Sequence, residues 1–292
     1  MKLGVSFSGG GIKGAAHIGV LKAFEEEKIH MDYISGASSG SIVAILYACG
    51  FTADEIYEIF RNYCKKIGYI DFKNILKILY SIILKRKIIF KGLNSGLIIE
   101  NIVKEVCNKK GIKKMSDIKK KVFIPSINME TGEIYIFTSN VEDRAYADNI
   151  IYINDVEVGI AVRASCSYPG IFEPCRYKGI NLIDGGIREN TPWKVMKENG
   201  ANNVISIVFE KDKKIKRDAN VIDIISNAFD ILCHELSNYE LDGVDYILKI
   251  KTPNVHLLDV KKMDNLYKLG YIQTKKNIKK IKGTLKKWKY VN

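Results

Sequence analysis

An α/β fold, with a mostly parallel central sheet and helices on both faces, is what this sequence predicts, and three observations predict it. Short apolar runs alternate with amphipathic stretches from the first residues onward, which is the rhythm of strand–helix units. A glycine-rich loop, Ser8-Gly9-Gly10-Gly11-Ile12-Lys13-Gly14, divides the first apolar run from the first amphipathic one. A G-x-S-x-G sequence, Gly36-Ala37-Ser38-Ser39-Gly40, divides the second pair. That pattern is the sequence form of a serine held on a sharp turn between strand and helix.

The elements follow in order. Residues 3–7 read as a short buried strand. Ala15, Ile18, Leu21 and Phe24, spaced by three and four, predict a helix over about 14–28. Tyr33-Ile34-Ser35 reads as the second strand, and Ile42, Val43, Ile45 and Leu46 as a second helix stopped by Gly50. Further strands are expected at 122–127, 134–138, 204–209 and 246–250. Helices are expected near 53–65, 96–107, 190–199, 219–240 and 263–281. No internal repeat or Pro-rich linker divides the chain, so residues 1–292 read as a single domain. An insertion near 66–95 interleaves isoleucines and leucines with lysines. It reads either as a core-packed helix with a lysine face or as a lid or membrane-facing element.

Composition narrows the class. A 47% hydrophobic and 27% charged chain is an ordinary globular one, and no run approaches the roughly 18 apolar residues that span a bilayer. The first strand runs straight into the glycine loop, which leaves no room for a signal peptide and predicts a cytoplasmic protein. The cysteines show no C-x-x-C and the histidines no H-x-x-x-H, so neither a disulfide framework nor a metal site is expected. The net charge of +13 is unevenly placed: −3 over residues 1–60, +13 over 61–121, −5 over 122–210 and +8 over 211–292. Such basic blocks are usually solvated faces; an anionic membrane or nucleic acid is the functional alternative. No helix-turn-helix, zinc-finger or RNA-binding signature supports nucleic acid.

The chemistry rests on a few residues. Ser38 alone of its neighbours Ser39 and Ser41 has glycine two places to either side, so it is the candidate nucleophile. Far downstream, Asp184 in Asp184-Gly185-Gly186 is either a turn-capping aspartate or a base for Ser38. The glycine loop admits two readings. Gly9, Gly11 and Gly14 spell a dinucleotide fingerprint, with Asp32 at the distance of a ribose-binding acid, but that reading gives Ser38 and Asp184 no role. As an oxyanion cradle the same glycines offer N–H groups at a helix N-terminus. A Ser–Asp–His system would need His234 or His256, and neither is well placed by sequence. His17, just after the glycine loop, reads as a packing or hydrogen-bonding residue.

Four blocks in order make the sequence resemble the patatin-like phospholipases. They are Ser8–Gly14, Gly36–Gly40, Ala164-Ser165-Cys166-Ser167-Tyr168-Pro169-Gly170-Ile171-Phe172-Glu173-Pro174, and Asp184-Gly185-Gly186-Ile187-Arg188-Glu189-Asn190-Thr191-Pro192. Lys91–Gly96 and Leu269-Gly270-Tyr271 are weaker family features, and the resemblance spans about residues 3–280. It implies a three-layer α/β/α fold and a Ser–Asp dyad of Ser38 and Asp184. The oxyanion hole it implies is the backbone of Gly9, Gly10, Gly11 and Ile12. It further implies no cofactor and no catalytic metal. The expected activity is hydrolysis of acyl esters of phospholipids or lysophospholipids, with peripheral contact to an anionic membrane.

Overall fold

The computed structural model describes residues 2–67, 92–140, 150–211 and 241–287 without His256, together with isolated helical positions at 224, 228, 231, 232, 235, 236 and 239. Strand β1 (Leu3–Phe7), buried at every residue, lies in the middle of the sheet. It pairs in parallel with β2 (Tyr33–Gly36) on one side and β8 (Asn203–Lys211) on the other. Its unbroken apolar character is that of a strand covered on both faces.

Outward from this centre, β3 (Lys121–Asn128) runs parallel to β2, and β9 (Tyr246–Thr252) runs parallel to β8. β4 (Ile134–Thr138) turns back antiparallel to β3, and β5 (Ile150–Ile153) lies parallel to β4. The order is β5-β4-β3-β2-β1-β8-β9. A hairpin of β6 (Cys175–Tyr177) and β7 (Ile180–Asp184) joins it through β3.

The junction at β3 decides where Asp184 sits. Residues 121–123 of β3 pair with β2, and residues 126–128 pair with β7. β4 occupies the opposite edge of β3 over residues 123–127. β7 therefore continues the lane of β2 beyond its end, in the opposite direction. The last residue of β7, Asp184, arrives where the turn after β2 begins.

Helices α1 (Gly14–Glu26), α2 (Ser39–Ala48), α3 (Ala53–Ile67), α4 (Leu97–Asn108), α5 (Val158–Ser165) and α7 (Met263–Lys287) share one large core with a face of the sheet. The other face carries a smaller cluster. There Trp193, Val195 and Met196, at and within α6 (Lys194–Glu198), pack on Tyr33, Phe123 and Val204. The three layers are present, with outer layers of unequal thickness.

The expected elements sit close to their observed bounds, with informative differences. The helix expected over 190–199 is only Lys194–Glu198, because Pro192 disfavours helical backbone at the residue before it. β5, β6, β7 and α5 had no sequence expectation. Of the 66–95 insertion, residues 68–91 lie outside the described residues, as does most of the 219–240 stretch.

Candidate active site

Ser38 occupies the turn between β2 and α2 with φ 50° and ψ −125°. A non-glycine residue there carries roughly 1–3 kcal/mol of strain, which the surrounding structure must hold. The flanking glycines remove the obstacles: a Cβ on Gly36 would collide with the backbone of Gly40, and one on Gly40 with the carbonyl of Phe7. Hydrogen bonds fix the rest. The Ser38 N–H donates to Ser165 Oγ at 3.1 Å, and the Ser38 carbonyl accepts from Ser41 Oγ at 2.6 Å and Ser41 N at 2.9 Å. The neighbouring Ala37 N–H donates to Phe7 O at 3.1 Å, tying the turn to β1.

Asp184 caps a short 3-10 turn, Gly185–Ile187, with Oδ1 accepting the Gly186 N–H at 2.8 Å. Its other oxygen, Oδ2, is buried and has no hydrogen-bond partner among the described residues. The capping and catalytic readings thus divide the two oxygens between them. Burial pushes the carboxyl up to about 7, opposed by the Ser38 hydroxyl and the Gly186 N–H. Ser38 is thus near enough to favour the charged carboxylate, although no hydrogen bond of ordinary geometry yet joins the two side chains. Asp184 is held from behind, its N–H donating to Ser167 O at 3.0 Å.

Ser165, the last residue of α5, and Ser167, two residues beyond it, therefore hold Ser38 and Asp184 from one place. The Ala164–Pro174 block was visible in the sequence. What the sequence did not reveal is that its serines serve the turn at Ser38 and the strand end at Asp184.

In the glycine loop the four expected N–H donors divide. The Gly9 N–H donates to Asn190 Oδ1 at 3.0 Å, and the Ile12 N–H to Leu257 O at 2.8 Å. Among the described residues the Gly10 and Gly11 N–H groups have no such partner. Asn190 ties the glycine loop to the aspartate segment, and Leu257 presses on the loop from the far end of the chain. Nothing in the sequence marked Leu257. His17 is fully buried, packs between Phe7 and Phe209, and donates from Nε2 to Ser8 O at 2.8 Å. A carbonyl can only accept, so Nε2 carries the proton. Burial lowers the ring's pKa to about 4, which keeps it neutral, as the packing reading expected.

The remaining sequence candidates fall into place. Asp32 is spent on the backbone: its Oδ2 accepts the Leu3 N–H at 2.8 Å. His234 and His256 lie outside the described residues. Among the described residues no group of three His, Cys, Asp or Glu side chains could hold a metal, and none of the helices is long and apolar enough to cross a membrane. Cys49, Cys64, Cys107, Cys166 and Cys175 are buried free thiols. Over Ser38 opens an apolar cleft walled by Ile42, Tyr168, Phe172, Leu257 and Leu258 among others.

Comparison with known proteins bears on the family and the fold. The sequence model described as "Patatin-like phospholipase" matches residues 5–197. The uncharacterized protein YqhO of Bacillus subtilis is 25% identical over 305 residues, covering 97% of this chain and 98% of that protein. Lysophospholipase NTE1 of Lodderomyces elongisporus is also 25% identical, covering 98% of this chain. This chain spans only 20% of that much longer relative. Among solved structures, VipD from Legionella pneumophila superposes with a TM-score of 0.52 at 17% identity, covering 94% of this chain and 66% of that one.

Proposed function

The chain belongs to the patatin-like phospholipase family, and from that premise we propose that it is a serine lipid acyl hydrolase working through Ser38 and Asp184. Family membership supports lipid ester hydrolysis; the assignment of roles within the site is our reading. One observation carries it: a buried carboxylate oxygen with no hydrogen-bond partner among the described residues, Asp184 Oδ2, beside a serine on a strained turn.

The reaction divides into two halves. Asp184 Oδ2 accepts the Ser38 proton as Oγ attacks the ester carbonyl. The N–H groups of Gly10 and Gly11 hold the tetrahedral oxyanion, since those of Gly9 and Ile12 are already bonded. The intermediate collapses, and the departing alcohol takes its proton from Asp184. Water then attacks the acyl-serine, giving its proton to Asp184, and the fatty acid leaves as Ser38 is reprotonated. Neither a metal nor a cofactor enters this scheme.

The apolar cleft suits an acyl chain, so the substrate class is phospholipid or lysophospholipid. Ser38→Ala and Asp184→Asn should each lower hydrolysis of a lysophospholipid by about 10²-fold or more, with the fold retained by circular dichroism. Full activity in folded Ser38→Ala would overturn the assignment. A loss of about 10³-fold in His234→Ala or His256→Ala would replace the dyad by a Ser–Asp–His system.

A further inference from the structure

Hydrogen bonds hold the glycine loop on either side of its middle. On the near side the Ser8 N–H donates to Ile207 O at 3.1 Å, and the Gly9 N–H to Asn190 Oδ1 at 3.0 Å. His17 adds a third bond there, from Nε2 to Ser8 O at 2.8 Å. On the far side the Ile12 N–H donates to Leu257 O at 2.8 Å. Between these points stand the N–H groups of Gly10 and Gly11.

The Ser8 carbonyl and the Gly9 N–H belong to one peptide unit. That unit is planar, so His17 at one end and Asn190 at the other fix its tilt as well as its position. The next two units carry the Gly10 and Gly11 N–H groups, and glycines impose no tilt of their own. Their aim is therefore inherited from the clamped plane. That plane also lies against the serine turn: a Cβ on Gly40 would come within 2.7 Å of Ser8 O, and one on Gly9 within 3.1 Å of Ser38 Cβ. Packing alone does not call for a histidine here. The ring is fully buried between Phe7 and Phe209, at centroid distances of 5.1 and 4.5 Å. Its Nδ1 is buried with no hydrogen-bond partner among the described residues, a cost that an apolar side chain in the same slot would not carry. What histidine adds is the donor to Ser8.

We infer that His17 is a positioning residue for the oxyanion: through the Ser8–Gly9 peptide it aims the Gly10 and Gly11 N–H groups at the space beside Ser38. This rests on the proposed hydrolysis at Ser38 and deepens it by naming what sets the angle of the donors.

The test uses the full chain, p-nitrophenyl butyrate as substrate and two matched inhibitors. One is an alkyl trifluoromethyl ketone. Ser38 Oγ adds to its carbonyl carbon, the serine proton passes to Asp184, and the carbonyl electron pair becomes an oxyanion in the hole. The other is the corresponding trifluoromethyl alcohol, which cannot form that adduct. His17→Leu, of similar volume and without a donor, should lower kcat about 10-fold or more with KM within about 2-fold. It should weaken the ketone by a similar factor and leave the alcohol unchanged. His17→Gln, whose side-chain amide supplies a donor, should recover most of both losses, which a packing role would not allow. If His17→Leu does not fold, Asn190→Ala releases the other end of the same plane from a half-buried position and should show the same split. Folded variants whose kcat and ketone affinity match wild type overturn the inference, as do variants that weaken ketone and alcohol alike. A wild type inert to the ester, binding the ketone no more tightly than the alcohol, overturns the hydrolase reading itself, and the inference falls with it.

Discussion

At Ser38 and Asp184 the molecule holds two unfavourable states next to each other, a strained backbone and a desolvated carboxylate. Ser165 bears on the first. Its hydroxyl is the partner of the Ser38 N–H, and losing it would leave a buried donor unpaired at about 1–3 kcal/mol. Ser165→Ala should therefore lower kcat about 10-fold or more with KM little changed, because the error is in positioning and not in substrate binding. Ser165→Thr, which keeps the hydroxyl, should recover most of it; a matched fall in both variants would reduce Ser165 to a packing role. The second state gives a pH dependence. Asp184 must be ionised to act as base and is pushed up to about 7 by burial, so kcat/KM should rise through pH 7. Glu189 is also raised to about 7 by burial, and the inflection should persist in Glu189→Gln if Asp184 is its source. Stability should move the other way. A carboxyl whose folded pKa exceeds its unfolded value near 4 binds more protons when folded, so its penalty grows between about pH 4 and pH 7. Asp184→Asn should thus melt several degrees above wild type at pH 8 and lose that advantage near pH 4. An equal difference at both pH values would remove desolvation as the cause.

Local pattern made β1, α1, β2, α2 and α4 legible: β1 and β2 as short apolar runs buried at every residue, α1 and α2 as apolar stretches set off by glycines, and α4 as a helix with one buried stripe. It is silent on β6, β7 and α5. β7 has only five residues, Ile180–Asp184, mixed in burial, and its pairing in the lane of β2 depends on contacts with β3 made over fifty residues away. No local signal encodes that register, so the sequence could offer Asp184 as a base but could not bring it to Ser38. The same limit applies to the glycine loop. Its glycines suggested a cradle of N–H groups, while the bonds that occupy Gly9 and Ile12 come from Asn190 and Leu257, which are distant in sequence. For the basic stretch near 66–95 the argument remains one of charge and hydropathy. Three cations meeting anionic head groups contribute about 1 kcal/mol each near a membrane surface. Changing Lys85, Arg86 and Lys87 together to Gln should then weaken sedimentation with phosphatidylserine vesicles by about 10²-fold at low salt, with hydrolysis of a soluble ester retained. Equal vesicle binding by mutant and wild type would leave the stretch a packing element.

Over the whole molecule, α1 near the start of the sequence and α7 near its end close on each other. The family match stops at residue 197, yet α7, far beyond it, lies against α1 with no room between the backbones. A Cβ on Gly270 would strike the main chain of Ala16, and one on Gly19 would strike Tyr267 and Tyr271. Partly exposed ion pairs from Lys275 and Lys282 to Glu27 flank this contact, and pairs open to solvent add little to stability. The close approach itself is what fixes α1, whose first residue, Gly14, directly follows the loop that carries Gly10 and Gly11. The close contact couples the C-terminal helix to α1 and the glycine loop before it. Gly270→Val should accordingly force α7 away from α1, costing about 1–3 kcal/mol or more, lowering the melting temperature and loosening the oxyanion loop, so that kcat falls as well. Gly283 is the internal control: it lies on the same helix, and a Cβ there would meet nothing within 4 Å. Gly283→Ala should be neutral or gain up to about 1 kcal/mol from helix propensity alone. Thermal melts of the two variants separate the ideas directly. If Gly270→Val melts with wild type and keeps its turnover, α7 is an appendage and the domain ends before it; if only Gly270→Val loses both, the closing of the chain ends is what holds the glycine loop in place.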